Sequence, residues 1–183
     1  MNLNDIEKLF LNRQSCRNFN PDRVPDSETL KRVAELAMLA PSACNSQPWR
    51  VDVVNKQDVV KALAATTHGL GMNKFADKCT AFAVITETAS VLSERAGVKL
   101  TGRDFVGYDL GLMCAHLVLA AVAAGISSCI LGMFDEKKVK QILSIPDKYS
   151  VKMVVAMGYA ADDDKIREKK RKSTADTCVF TLD

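Results

Sequence analysis

The sequence contains no C-x-x-C pair: Cys16, Cys44, Cys79, Cys114, Cys129 and Cys178 are widely scattered. This spacing indicates neither a zinc site nor a thiol redox motif. Residues 1–13 lack the basic segment followed by an apolar run that a secretory signal needs. The thiols are therefore expected to be reduced, in the cytoplasm, and most of them to serve as small core residues. Also missing is a G-x-G-x-x-G fingerprint after any strand candidate. Gly69-Leu70-Gly71 is a near miss with Lys74 at the third glycine position, and no phosphate-loop motif occurs. Any nicotinamide cofactor would have to bind by some other means. Neither histidine is a strong acid or base candidate: His116 lies in an apolar stretch and reads as a hydrogen-bonded core residue, His68 as part of a loop. No repeat or low-complexity tract is present, and a net charge of +3 is too mild to call for a nucleic-acid partner.

What is present suits one folded domain spanning residues 1–183, with 48% hydrophobic and 26% charged residues. Apolar spacing predicts a helix over residues 3–11 behind an Asn2 or Asn4 cap, and a second from Ser27 that Pro41 ends. A strand over 50–54, a helix carrying Val59, Val60 and Leu63, and an all-apolar strand over 81–86 follow. Residues 107–124 are nearly all apolar. Asp109 and His116 interrupt that run and alanine is abundant, which favours a buried central helix over a membrane span. A short apolar stretch at 129–131, a helix opened by Asp135 and a strand over 151–157 complete the core. A charge-dense tail, 162–172, leads to a β-prone run, 178–182, with no core of its own to pack on. Strands separated by helices ordinarily suggest a parallel, doubly wound sheet, but the fingerprint of that fold is missing.

Arg13, Ser15 and Arg17 occupy every second position of a segment expected to be extended, so their side chains point the same way. Two guanidiniums and a hydroxyl are the donor set that a phosphomonoester requires. Taken alone, such a triplet is more often solvated surface, and the basic run 169–172 reads the same way. Pro41-Ser42-Ala43-Cys44-Asn45-Ser46-Gln47-Pro48-Trp49 is the most unusual segment. Two prolines bracket small and amide side chains, stiffening a loop rich in hydrogen-bonding groups beside the only tryptophan, which is expected to anchor it in the core.

Arg13-Gln14-Ser15-Cys16-Arg17, followed by A-P-S-A-C-N-S-Q-P-W at 40–49, resembles the two N-terminal hallmarks of the nitroreductase family. The resemblance continues through residues 109–125, Leu131-Gly132 and Gly158-Tyr159 to the basic tail. It implies an α+β, nitroreductase-like fold with a mostly antiparallel central sheet flanked by helices. It also implies an intertwined homodimer, with the tail at about 162–183 packing on the partner and flavin mononucleotide (FMN) at the interface. Carried over, Arg13 holds the FMN phosphate, Ser15 the phosphate or ribityl chain and Arg17 the pyrimidine edge, while Lys169 and Arg171 complete the phosphate cage. Gln14 belongs to the same motif. Pro41, Ser42, Ala43 and Asn45 come from the other subunit, Leu131-Gly132 passes close to the flavin, and Asn73 or Lys74 reaches the ring edge. Better-known members carry a glutamate where this chain has Leu131.

The implied activity passes hydride from NADH or NADPH through flavin N5 to an oxidised small molecule such as a nitroaromatic or quinone. No catalytic side chain is required, and neither nucleic acid nor membrane is involved. The alternatives are an FMN-binding or sensing protein without turnover, or dehalogenation or flavin fragmentation on the same fold. Only residues 87–104 are available to roof the substrate pocket, which is expected to be open.

Overall fold

The computed structural model describes residues 2–89, 97, 99, 101–103 and 105–183. Helix α1 (Leu3–Asn12) opens with a reciprocal cap: the Asn2 side chain accepts from the Asp5 N–H, and the Asp5 carboxylate accepts from the Asn2 N–H. Helix α2 (Ser27–Ala37) is capped by Asp26 and buries Leu30, Val33 and Ala37, which fall on one face at helical spacing. It ends earlier than Pro41 alone would require, because the chain tightens through bonds from Leu39 to Leu36 and from Ala40 to Ala37.

The remaining elements are β1 (Trp49–Val54), α3 (Gln57–Thr66), β2 (Ala81–Glu87), α4 (Phe105–Ala123), β3 (Ser127–Leu131), α5 (Glu136–Leu143), β4 (Ser150–Gly158) and the short α6 (Thr174–Thr177). The sheet order is β1-β2-β4-β3, and every neighbouring pair is antiparallel. The helices α3 and α5 therefore connect adjacent antiparallel strands, and α4 lies in the crossover between strands of like direction, β2 and β3, on either side of β4. An α+β architecture with an antiparallel sheet is the result.

Both faces of the sheet are covered. Along β2, Ala81, Ala83 and Ile85 join α2 and α4 in one core, while Phe82 and Val84 join α3 and α5 in the other. Double coverage explains why β2 reads as one continuous apolar run. Helix α4 is long and apolar enough to cross a membrane, yet Leu110, Met113, Leu117 and Ala121 lie in the first core beside α2 and β2. Its other face leaves Tyr108 and Leu112 exposed.

Beyond β4 the chain runs back along the segment that follows α1. The Asn20 N–H donates to the Tyr159 carbonyl and the Ala161 N–H to the Asn18 carbonyl, each at 2.9 Å, and Phe19 and Ala160 form an antiparallel bridge. The run 178–182 forms no strand within the chain, and Val179 and Leu182 are 94% and 82% exposed. Most of 87–104, the expected roof segment, lies outside the described residues.

Candidate cofactor site

Arg13 ends α1 in extended geometry, with φ −66° and ψ 116°. Two residues on, Ser15 bridges Ser128 in parallel, and the Cys16 N–H donates to the Ser128 carbonyl at 2.9 Å. The segment thus adds a short extension to the β3 edge. Cys16 turns into the second core and is fully buried. By alternation Ser15 and Arg17 face the other way, as the sequence spacing predicts.

The returning tail supplies the opposite wall. Arg13, Ser15 and Arg17 face Arg167, Lys169 and Arg171 across a cleft of about 180 Å³, with Gln14 and Glu168 completing its lining. The Lys169 ammonium donates to the Arg13 carbonyl at 2.6 Å. Loss of solvent, and then the charges of Arg13, Arg171 and Arg167, hold the Lys169 ammonium below the usual lysine range. Five cationic groups around one small cleft disfavour one another, and an anion placed among them reverses that penalty. The site is therefore chemically suited to a phosphate. Arg167 was not singled out from the sequence, although it extends the every-second-residue pattern of Lys169 and Arg171 by one step.

The Pro41 to Trp49 loop is built differently. Cys44, Asn45 and Gln47 adopt left-handed backbone geometry at φ 51°, 50° and 47°, which costs non-glycine residues roughly 1 kcal/mol or more each. Its restraints are visible. Both oxygens of Asp109 accept from the Ala43 N–H at 3.0 and 3.1 Å, and Ser42 Oγ accepts from the Gln47 N–H at 2.9 Å. The Gln47 amide donates to Asn45 Oδ1 at 3.0 Å, and Trp49 anchors the far end in the first core. Asp109, 3% exposed in a mostly apolar helix, is thus a fastening of the loop and not merely an interruption of α4. Within one chain, Pro41, Ser42, Ala43 and Asn45 do not line the cationic cleft.

Asn73, also left-handed at φ 58°, donates its amide to the Thr67 carbonyl at 3.3 Å and more weakly to that of Met133 at 3.5 Å. This ties the 69–75 loop to the chain just after β3. The Leu131 side chain is buried in the second core, so this position offers a ligand its backbone only. At Gly132 an added Cβ would meet nothing within 4 Å. Lys74 is exposed. His68 Nε2 lies 3.0 Å from Asp77 Oδ1, and His116 Nδ1 lies 2.9 Å from the Leu112 carbonyl.

The sequence model of the Nitroreductase family matches residues 11–71 and 64–159. The chain belongs to the nitroreductase family. Among family relatives, an NADH dehydrogenase of Thermus thermophilus is 28% identical over 182 residues, covering 87% of this chain and 88% of that protein. An oxygen-insensitive NADPH nitroreductase of Helicobacter pylori is 25% identical over 201 residues, covering 94% of this chain and 95% of that protein. The fold is also that of solved family structures. A nitroreductase-like protein of Streptococcus mutans superposes with a TM-score of 0.83 at 21% identity, over 99% of this chain and 100% of that one. A protein from Exiguobacterium sibiricum, described as a nitroreductase in complex with FMN, gives 0.77 at 19% identity over 96% of each chain. One observation of this nitroreductase-family chain fits a flavin phosphate ester: the cationic donor set of the cleft.

Proposed function

We propose that this chain is an FMN-dependent oxidoreductase that takes hydride from NADH or NADPH and delivers it to an oxidised small molecule such as a nitroaromatic or a quinone. The observation that carries the reading is the cationic cleft between residues 13–17 and the tail, formed by a member of the nitroreductase family. The names of the Thermus and Helicobacter relatives support a nicotinamide reductant, one by NADH and the other by NADPH. FMN, when bound, supplies the hydride chemistry.

The chain's own groups have distinct tasks in this reading. Arg13, Lys169 and Arg171 neutralise the phosphate, and Ser15 donates its hydroxyl to the phosphate or ribityl chain. Arg17 brings a fixed positive charge to the pyrimidine edge, where it favours the more negative, reduced cofactor. Gly132 lets the backbone come close because no side chain intervenes. Asn73 fixes the 69–75 loop beside it.

A homodimer with shared sites is part of the proposal. Ser42 and Asn45 do not line their own chain's cleft, and the apolar tail side chains Val179, Phe180 and Leu182 lie exposed. On the partner such a segment gains an apolar surface and sheet hydrogen bonds, with β1 offering an open edge. Six free cysteines accord with a cytoplasmic place.

Flavin identity tests the reading. Protein purified after expression, then denatured, is expected to release FMN. Release of FAD as the sole tight flavin, or failure of added FMN to bind, removes its basis.

A further inference from the structure

One cation of the cleft is engaged unlike the others. Arg167 donates from one terminal nitrogen to the Ser15 carbonyl at 2.7 Å and from the other to Asp164 Oδ1 at 3.2 Å. Its backbone N–H donates to Gln14 Oε1 at 3.1 Å, and Gln14 Nε2 donates back to Asp164 Oδ2 at 3.3 Å. The bonds close a ring between residues 14–15 and 164–167. At the centre of that ring the Asp164 side chain is only 8% exposed.

The tail needs such a fastening. From 162 to 173 it places no side chain in either core, so hydrogen bonds and charge decide where it lies. Charge alone would drive Lys169 and Arg171 away from Arg13 and Arg17. We propose that Arg167, oriented by Asp164 and Gln14, is a positioning residue: a clamp that holds the cationic tail against residues 13–17, so that the cleft stands assembled before its anion arrives. The inference rests on the phosphate reading of the cleft. A planar guanidinium satisfies a carbonyl and a carboxylate at once, whereas a lysine at this position supplies the same charge without the fork. The clamp therefore predicts that charge by itself is not enough.

The test compares wild type, Arg167→Gln, Arg167→Lys, Asp164→Asn and the Arg167→Gln/Asp164→Asn double variant in titrations with FMN and with riboflavin, which lacks the phosphate. Amide hydrogen exchange of the ligand-free proteins over residues 13–17 and 164–171 runs in parallel. Arg167→Gln and Arg167→Lys are expected to raise the Kd for FMN alike, on the order of tenfold, and to leave riboflavin binding unchanged. Asp164→Asn should weaken FMN binding alone but add nothing to Arg167→Gln, and exchange in both segments should quicken. FMN binding by Arg167→Lys at the wild-type level, equal losses for the two flavins, or unchanged exchange in Arg167→Gln would overturn the clamp. A wild type that binds no FMN removes the phosphate reading instead, and the exchange comparison still decides whether the clamp exists.

Discussion

At the scale of single residues, one acid and three arginines carry most of the argument. Asp109 fastens the loop that carries three left-handed residues at the Ala43 N–H, so its loss leaves a part-buried donor unpaired beside a strained backbone. Asp109→Ala is expected to lower unfolding free energy by about 1–3 kcal/mol in urea titrations, and a change within about 0.5 kcal/mol would show that the loop is fastened elsewhere. Arg13 and Arg17 share the cleft, and the proposed function gives them different tasks. Arg13→Ala should weaken FMN binding by about 2 kcal/mol, while Arg17→Ala should slow flavin reduction more than it weakens binding. Equal effects on binding with none on reduction would contradict that division. The alternation of Arg13, Ser15 and Arg17 was legible in the sequence because an extended segment has period two. Arg167 obeys the same period but sat inside a charge run, where solvation is the ordinary reading. Asp109 was visible as a misfit, yet its partner lies 66 positions away, and no local pattern reports such a contact.

At the scale of elements, periodicity gave helices and strands to within a few residues, and strand direction only through the family resemblance. The apolar run of β2 is what a strand covered on both faces requires, and parallel and antiparallel strands satisfy that requirement equally. The 178–182 run shows the converse limit: β-propensity is satisfied only where an edge is available, and within the chain it remains unpaired. Burial within the elements also sets a pH limit on stability. Burial pushes the thiols of Cys16, ahead of the segment's other influences, and of Cys79 up to about 12, and that of Cys114 on α4 up to about 11, from an ordinary 9.0. A raised thiol pKa favours the folded state while the group stays protonated. Its contribution is therefore complete below about pH 9 and is lost as pH climbs toward these raised values. Chemical denaturation across the alkaline range should show stability falling from about pH 9 upward. Substitution of Cys16, Cys79 and Cys114 by alanine should flatten that slope, and an unaltered slope would assign it to other groups.

At the scale of the whole molecule, the proposal requires two chains. In that proposal each site would take Arg13, Ser15, Arg17, Lys169 and Arg171 from one subunit and Ser42 and Asn45 from the other. Co-expression of an Arg13→Ala/Arg171→Ala chain with a chain whose Ser42 and Asn45 are replaced by bulky residues should yield mixed dimers in which one site is intact and activity returns. No recovery in verified mixed dimers, or a fully active flavin-loaded monomer in light scattering, would show that the site is not shared. The central claim is that this flavin accepts hydride from a nicotinamide, and stopped-flow mixing measures that step by itself. Anaerobic FMN-loaded protein mixed with NADH or NADPH should lose the visible absorbance of its oxidised flavin, and a nitroaromatic or quinone added afterwards should restore it. Tightly bound FMN that neither nicotinamide bleaches would contradict the claim and leave a protein that binds the flavin without turning it over.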